Sequence, residues 1–431
     1  MKIFVNRIEE LKKLKANQKG SGGLIVIYGR RRVGKTRLIA KWFEESNCKN
    51  TAYSQAVEGS LQLQLEQIFE DLKDSLDLVV APKTWGEFFS ILRKSDAPWM
   101  ICLDEFQYLV QACPSLPSML QKFIDHQIPK NCLFIISGSS QSMMHRLVTD
   151  SSEPLYDRSI FTINLKPMSY RHFCEYMSLN PQKIDSFYLF SLVGGLPRYW
   201  KALDQFGILD PVAAADQLYF DAGSLLEDEA DRILKDEGTI GNVARSILEC
   251  IGRGSHRISE IAGRLQQPAT NFSRPIKFLV DLGIIIKETP FGVSVRDSKR
   301  TLYRLSDPVL EFWYSTYSPF RVRWKMYSSQ DKQSALHLHA SRVMERVIRD
   351  STPGAQRYWE SQFEWDCVFN STASSIVIRE IKLSKLTAHE KRALEKSIKD
   401  QFKASELSAK FTLKAVEVFD VHDCLDFLAK L

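Results

Sequence analysis

Three groups of side chains in this chain have the types and spacing to do chemistry. The first lies in residues 24–36, LIVIYGRRRVGKT, which fit the pattern G-x-x-x-x-G-K-[ST]. Gly29 and Gly34 let the backbone curl so that successive amides face one anion, beside the positive end of a helix. Lys35 would then reach the β and γ phosphates of a nucleotide, and the Thr36 hydroxyl would ligate Mg²⁺. Arg30, Arg31, Arg32, Val33 and Arg37 complete the nucleotide-contacting set. The three loop arginines either add attraction for phosphate or meet a partner's surface. The second group is Asp104-Glu105, directly after the apolar run PWMICL. Two carboxylates ending a buried strand are costly unless they sit at the sheet edge, facing water or metal. Asp104 would hold Mg²⁺ and Glu105 would polarise the attacking water. The third group is Asp366 with Glu380 and Lys382, a D…E-x-K arrangement. Asp366 and Glu380 would hold Mg²⁺ while Lys382 positions water and stabilises phosphate charge, as metal-assisted phosphodiester cleavage needs. A solvated, charged strand face reads the same way.

Each group needs elements to position it. Leu24 to Tyr28 is a β-branched run, and Leu38, Ile39, Trp42 and Phe43 follow the loop at helical spacing, so the loop joins a strand to a helix. Further strands are expected at residues 51–53, 98–103, 132–136 and 160–164, with helices around 61–76 and 84–93. This alternation predicts an α/β fold with a parallel, doubly wound sheet. The strand at 132–136 ends in Ser137-Gly138-Ser139-Ser140. Ser139, with Ser137 close behind, is positioned to sense the γ-phosphate, or the serines merely close a turn. Arg158, before the strand at 160–164, is expected near the same sheet edge, stabilising γ-phosphate charge in cis or in a neighbouring subunit. Near the start, Asn6 is the expected N-cap of a helix with Glu9 completing a capping box, and the hydrophobic-Arg box with Arg7 either borders the adenine, as such boxes do in nucleotide-binding proteins, or has only this structural role.

Beyond residue 165 the pattern changes. Residues 166–233 are helical and include LVGGLPRYW, where Gly194-Gly195 ends one helix and Pro197 starts the next. Arg198 in such a lid would meet the nucleotide. Helices at 240–251, 258–265 and 270–282, followed by strands at 283–287 and 302–305, predict a winged helix. Asn271, Ser273, Arg274 and Lys277 on its third helix, with Arg296, Lys299 and Arg300 near the wing, suit a DNA groove and its phosphates. Winged helices also serve as purely structural modules. An aromatic helix (Phe312, Trp313, Tyr314, Tyr317) comes next, and SSQDKQS at 328–334 is the expected linker.

A chain of 431 residues is too long for one core. A net charge of +6 suits an anionic partner without establishing one. The eight cysteines form no C-x-x-C pair, which argues against a zinc site or disulfide framework and for buried thiols in a reducing compartment. With neither a signal-peptide pattern nor a membrane-length apolar run, a cytoplasmic protein is expected.

FVNRIEEL, GRRRVGKT, ICLDEFQYL, IISGSS, PLYDRS, GGLPRYW and YRLSDPVLEFWY, in this order, resemble the archaeal-type ATPase family, close to the STAND ATPases within the AAA+ group. The resemblance spans most of residues 1–325, with Asp157 where it implies a glycine. The C-terminal part is similar to the PD-(D/E)XK nuclease-like domain that accompanies such ATPases, with Glu345 on a helix of the same core. The resemblance implies a P-loop NTPase sheet of the additional-strand (ASCE) type over residues 1–165 and a helical lid over 166–235. It also implies a winged helix with its aromatic helix over 236–327 and a restriction-endonuclease-like α/β domain over 335–431. The expected function is an ATP- and Mg²⁺-dependent molecular switch acting on DNA, as a monomer or homo-oligomer. The alternative is a non-enzymatic DNA-binding or signalling regulator with slow turnover and an inert nuclease-like domain.

Overall fold

The computed structural model describes residues 6–17, 22–95, 97–130, 132–236, 242–293 and 300–431. They fall into two compact units, Met1–Pro167 and Met168–Leu431.

In the first unit the apolar run of the loop motif forms strand β1 (Gly23–Tyr28), buried at every position. Strands buried on both faces belong to parallel sheets covered by helices, which is why this run does not alternate. Four more strands join it: β2 (Asn50–Gln55), β3 (Trp99–Asp104), β4 (Leu133–Gly138) and β5 (Ser159–Asn164). The sheet order is β2-β3-β4-β1-β5, and every pair is parallel. β4 lies between β1 and β3, the inserted strand that the additional-strand class requires. One face packs on helices Leu61–Leu76, Trp85–Arg93 and Leu116–His126 through an aromatic cluster in which Phe89 stacks on Phe123, centroids 4.8 Å apart. All five strands run the same way, so their C-terminal ends share one edge.

The second unit opens with helices, among them Ile184–Val193 and Pro197–Phe206, separated at Gly194-Gly195 as expected. Helices Asn242–Gly252, Ile258–Leu265 and Ser273–Asp281 precede an antiparallel hairpin, β6 (Ile285–Glu288) and β7 (Leu302–Leu305). Ile240, Val295, Arg296 and Lys299 lie outside the described residues. The aromatics Phe312, Trp313, Tyr314 and Tyr317 are all buried core.

The expected linker at 328–334 is instead the start of a 22-residue helix, Ser329–Asp350. Ser328 caps it, with Asp331 completing a reciprocal capping box, so these polar letters start a helix where a flexible spacer was expected. A four-stranded mixed sheet follows this helix: β8 (Gln356–Trp359), β9 (Glu364–Asn370), β10 (Ser375–Ile381) and β11 (Thr412–Phe419). β10 pairs parallel with β11 and antiparallel with β9. Tyr358, Trp365, Ile378 and Phe402 form its core, and Phe291, beyond β6, packs into the same cluster.

Candidate nucleotide site and a second carboxylate cluster

Gly29, just after β1, is glycine for a steric reason. A Cβ there would sit 2.4 Å from the Leu165 carbonyl oxygen, closer than any side chain tolerates. Gly34 has φ +100, a left-handed conformation that favours glycine, and a Cβ there would meet nothing within 4 Å. The concavity is therefore open. Gly34 starts helix Lys35–Glu44 without a side-chain cap, which leaves the helix's first amides to an anion. Lys35 is buried at 6% exposure, and its ammonium donates to the carbonyl oxygens of Gly29 (2.9 Å) and Arg30 (3.4 Å). It lies across the mouth of the loop.

The Thr36 hydroxyl donates to Asp104 Oδ2 at 3.1 Å. The two side chains expected to hold Mg²⁺ thus meet, one from the helix start and one from the end of β3. An anionic oxygen beside a hydroxyl is a hard-oxygen donor set that suits Mg²⁺, completed by phosphate and water. Tyr53, which the sequence reading missed, also donates to Asp104 Oδ2, at 2.5 Å. Burial, and then the charge of Asp104, hold the Tyr53 hydroxyl well above its ordinary pKa.

Glu105 leaves the strand in the left-handed region, φ 53, unusual for a non-glycine residue. Its side chain turns to the end of β4. Glu105 Oε2 accepts from the Ser139 amide (3.2 Å), the Ser139 hydroxyl (2.7 Å) and Gln107 Nε2 (2.6 Å). Ser139 and Glu105 are therefore in one network, whereas Ser137 is fully buried with no partner for its hydroxyl. Gln107 was also missed. The only signal for it was its place two residues after Glu105, on the first turn of helix Phe106–Ala112. Arg31 donates to the Tyr108 hydroxyl at 2.7 Å and approaches Ser139 Oγ at 3.5 Å, which ties the loop to this network.

Other expectations change. Arg158 does not lie near the phosphate-binding edge. It precedes Ser159, which pairs with Leu24 at the opposite end of β1, and it meets Asp125 at 3.4 Å. In a parallel sheet, the residue before a strand and the residue after one occupy opposite edges. Asn6 is not the N-cap of helix Ile8–Ala16. Arg7 holds that position with φ 73, and there is no side-chain cap. The Arg7 guanidinium donates to the carbonyls of Val33 (3.1 Å) and Lys166 (2.7 Å) and pairs with Glu10, so it braces the phosphate loop from behind. Arg198 is exposed on helix Pro197–Phe206 of the second unit, and Arg37 is exposed on the helix after the loop.

In the second unit Asp366 lies in β9, Glu380 in β10, and Lys382 just beyond β10. Lys382 pairs with Glu380 Oε1 at 2.6 Å, and the other oxygen, Oε2, is buried without a partner. Asp366 Oδ2 accepts from the Ile381 amide at 2.9 Å. Glu345, on helix Ser329–Asp350, is pushed up to about 7 by burial and then by the charge of Asp366, with Arg357 opposing. Glu380 is raised for the same two reasons, against Lys382. Among the described residues no group of three or more acidic, His or Cys side chains has metal-holding spacing.

Ser273, Arg274 and Lys277 are exposed on helix Ser273–Asp281, the third before the hairpin, and Asn271 is exposed on the 3-10 turn just ahead of it. Arg300 makes two bonds to the Glu406 carboxylate, at 2.8 and 2.6 Å, so its guanidinium is already engaged within the unit.

Residues 4–203 match the model of a family described as an ATPase domain predominantly from Archaea. An uncharacterized protein of Methanocaldococcus jannaschii is 28% identical over 364 residues, covering 81% of this chain and 77% of that one. An uncharacterized ATP-binding protein of the same organism is 47% identical over 51 residues, 12% of this chain and 86% of its own length. Among solved structures, the Walker-type ATPase of Pyrococcus abyssi superposes with a TM-score of 0.52 at 19% identity, over 72% of this chain and 96% of that one. That likeness establishes the fold. Among the described residues no helix is long and apolar enough to cross a membrane. With the glycine loop, the strand-end carboxylates and the inserted strand in place, the family match makes residues 4–203 an ATPase domain of the archaeal type.

Proposed function

We propose that this protein is an ATP-binding and hydrolysing switch whose nucleotide state controls a winged-helix module and a C-terminal nuclease-like domain acting on DNA. The observation that carries the reading is the meeting of Thr36 with Asp104, and of Glu105 with Ser139, on the edge that carries the open glycine loop. Lys35 and the loop amides would grip the phosphates, and Thr36 and Asp104 would hold Mg²⁺. Glu105 would align the attacking water while Ser139 reads the γ-phosphate. Bound Mg²⁺ supplies charge neutralisation on the phosphate oxygens. Arg7 braces the loop, Arg158 acts only toward a neighbouring copy, and Arg198 belongs to the lid. The domains proposed are the core at 1–165, the lid at 166–235, the winged helix with its aromatic helix at 236–327 and the nuclease-like domain at 335–431. The DNA part rests on exposed Arg274 and Lys277 and on the orphaned Glu380 oxygen beside Lys382, an acceptor that a cation would satisfy.

Paired ATPase and DNA-cleavage assays on the wild type, Lys35→Ala and Glu380→Ala test this reading. Lys35→Ala should abolish turnover and the Mg²⁺-dependent part of ATP binding, and Glu380→Ala should abolish metal-dependent cleavage while leaving ATP turnover intact. Unchanged ATP turnover in Lys35→Ala would sink the switch. A second reading, a DNA-binding regulator with slow turnover and an inert C-terminal site, has its own support. Glu105 Oε2 already accepts from three donors, and no metal-spaced acidic trio is assembled among the described residues. Cleavage below detection with intact DNA binding would favour it.

A further inference from the structure

The second unit encloses a cavity of about 530 Å³ that none of the three chemical groups above explains. Its walls are the end of helix Asn242–Gly252, the β6–β7 hairpin, the aromatic helix and one side of helix Ser329–Asp350, with Arg357 of β8 at one end. Arg253, Arg304, Arg342, Arg346, Arg349 and Arg357 line it, against Glu288, Glu311 and Glu345. Lining of this kind has a plain structural reading, a buried ion-pair network, and part of it fits. Arg304 and Arg349 share Glu288 at 2.9 and 3.2 Å, Arg346 meets Glu311 at 2.9 Å, and Arg253 turns to Glu249 at 3.2 Å. Arg357 pairs with Glu364.

The network does not close on itself. Arg346 is 8% exposed, yet its Nη2 has no hydrogen-bond partner. The Arg357 side chain is 10% exposed, and its Nε has none either. Arg342, exposed at the rim, makes no ion pair among the described residues. Buried guanidinium donors without acceptors are costly, and a guanidinium fork matches a phosphate oxygen pair in shape and charge. The local field is positive. Burial, and then the nearby Arg304, push His256 on the cavity wall down to about 4. Burial pushes Arg357 down to about 10, with Arg304 and Arg349 repelling it. Ile286, Leu305, Pro319 and Leu338 supply apolar wall, and the volume falls in the range of small-molecule sites, about 300–1,000 Å³. Duplex DNA is too wide for it.

We propose that this cavity is a second anion site, separate from the glycine loop, that takes a phosphate ester of nucleotide size on Arg342, Arg346 and Arg357. The ligand bridges the hairpin module to the helix that leads into the C-terminal sheet. Glu345 borders both the cavity and Asp366, so occupancy bears directly on that carboxylate cluster. The phosphate could be carried by a free nucleotide or by the end of a DNA strand, and the test separates the two.

The full chain with Lys35→Ala, which silences the glycine loop, is titrated calorimetrically with ADP, with pyrophosphate and with a 5′-phosphorylated tetranucleotide. Saturable binding of at least one probe is expected. It should weaken roughly tenfold in Arg342→Glu, which is exposed and leaves the fold intact, and further in Arg346→Gln. Tighter binding of ADP and pyrophosphate assigns a free ligand, and tighter binding of the tetranucleotide assigns a strand-borne phosphate. Either supports the site. No binding by any of the three probes, or binding indifferent to Arg342→Glu, overturns it.

Discussion

Asp104 and Glu105 are adjacent in sequence, yet their side chains answer to different neighbours. Asp104 continues the strand and takes hydroxyls from Thr36 and Tyr53, whereas Glu105, at φ 53, turns to Ser139 and Gln107. That division of labour makes the roles separable by substitution. Glu105→Gln keeps the shape and the loop but removes the charge that, in the proposed mechanism, would orient water. Turnover should fall at least about 100-fold while Mg-ATP binding is retained, measured as phosphate release and as nucleotide affinity. Equal loss of both would mean that Glu105 acts in binding and not in the chemical step. The carboxylate pair was legible because an apolar strand running into two acids has few cheap explanations. Tyr53 was not legible. It reaches Asp104 only because the parallel register sets it opposite Cys102, two residues before Asp104 on the same face.

At the scale of elements, helix Ser329–Asp350 shows how packing sets chemistry. It packs on helix Ile184–Val193, and His339 from its middle meets the Ser191 carbonyl oxygen through Nε2 at 2.8 Å. His339 is 1% exposed and is pushed down to about 4 by burial, with Arg346 and Arg342 adding repulsion against Glu311 and the Ser191 bond. The folded state therefore refuses a proton that the unfolded chain accepts near pH 6.5. The neutral form costs nothing above that pH, and stability is lost as pH falls from 6.5 toward 4. His256 adds loss in the same direction. Urea unfolding at pH 7.5 and pH 4.5 should show His339→Gln losing less on acidification than the wild type, by roughly 2–3 kcal/mol. An identical acid loss in both proteins would assign the effect elsewhere. The same helix explains why the expected linker failed. SSQDKQS is polar, but Ser328 and Asp331 are spaced as a capping box, and composition alone hid the signal.

For the whole molecule, a net charge of +6 is modest, so any affinity for DNA must come from where the charges stand. Arg274 and Lys277 are exposed on one helix, while Arg300 is occupied by Glu406. DNA affinity, followed by fluorescence anisotropy from low to high KCl, should fall linearly on a log–log plot. Replacing Arg274 and Lys277 by alanine should reduce the slope by about 2, one per lost phosphate contact. An unchanged slope would remove this helix from the interface.

By itself the sequence determined the glycine loop, the acids at the end of β3 and the parallel α/β class. Each of these is written in short runs whose spacing is imposed by local backbone geometry. It also carried Ser139, as the polar end of a strand. Only the tertiary structure decided which edge of the sheet each residue reaches, and so moved Arg158 away from the phosphates. The same assembly gave Glu105 its clamp of Ser139 and Gln107, and it gathered six arginines, three of them on helix Ser329–Asp350, around one cavity. Such juxtapositions depend on strand direction, register and helix packing, which couple residues far apart in the chain and leave no periodic trace in it.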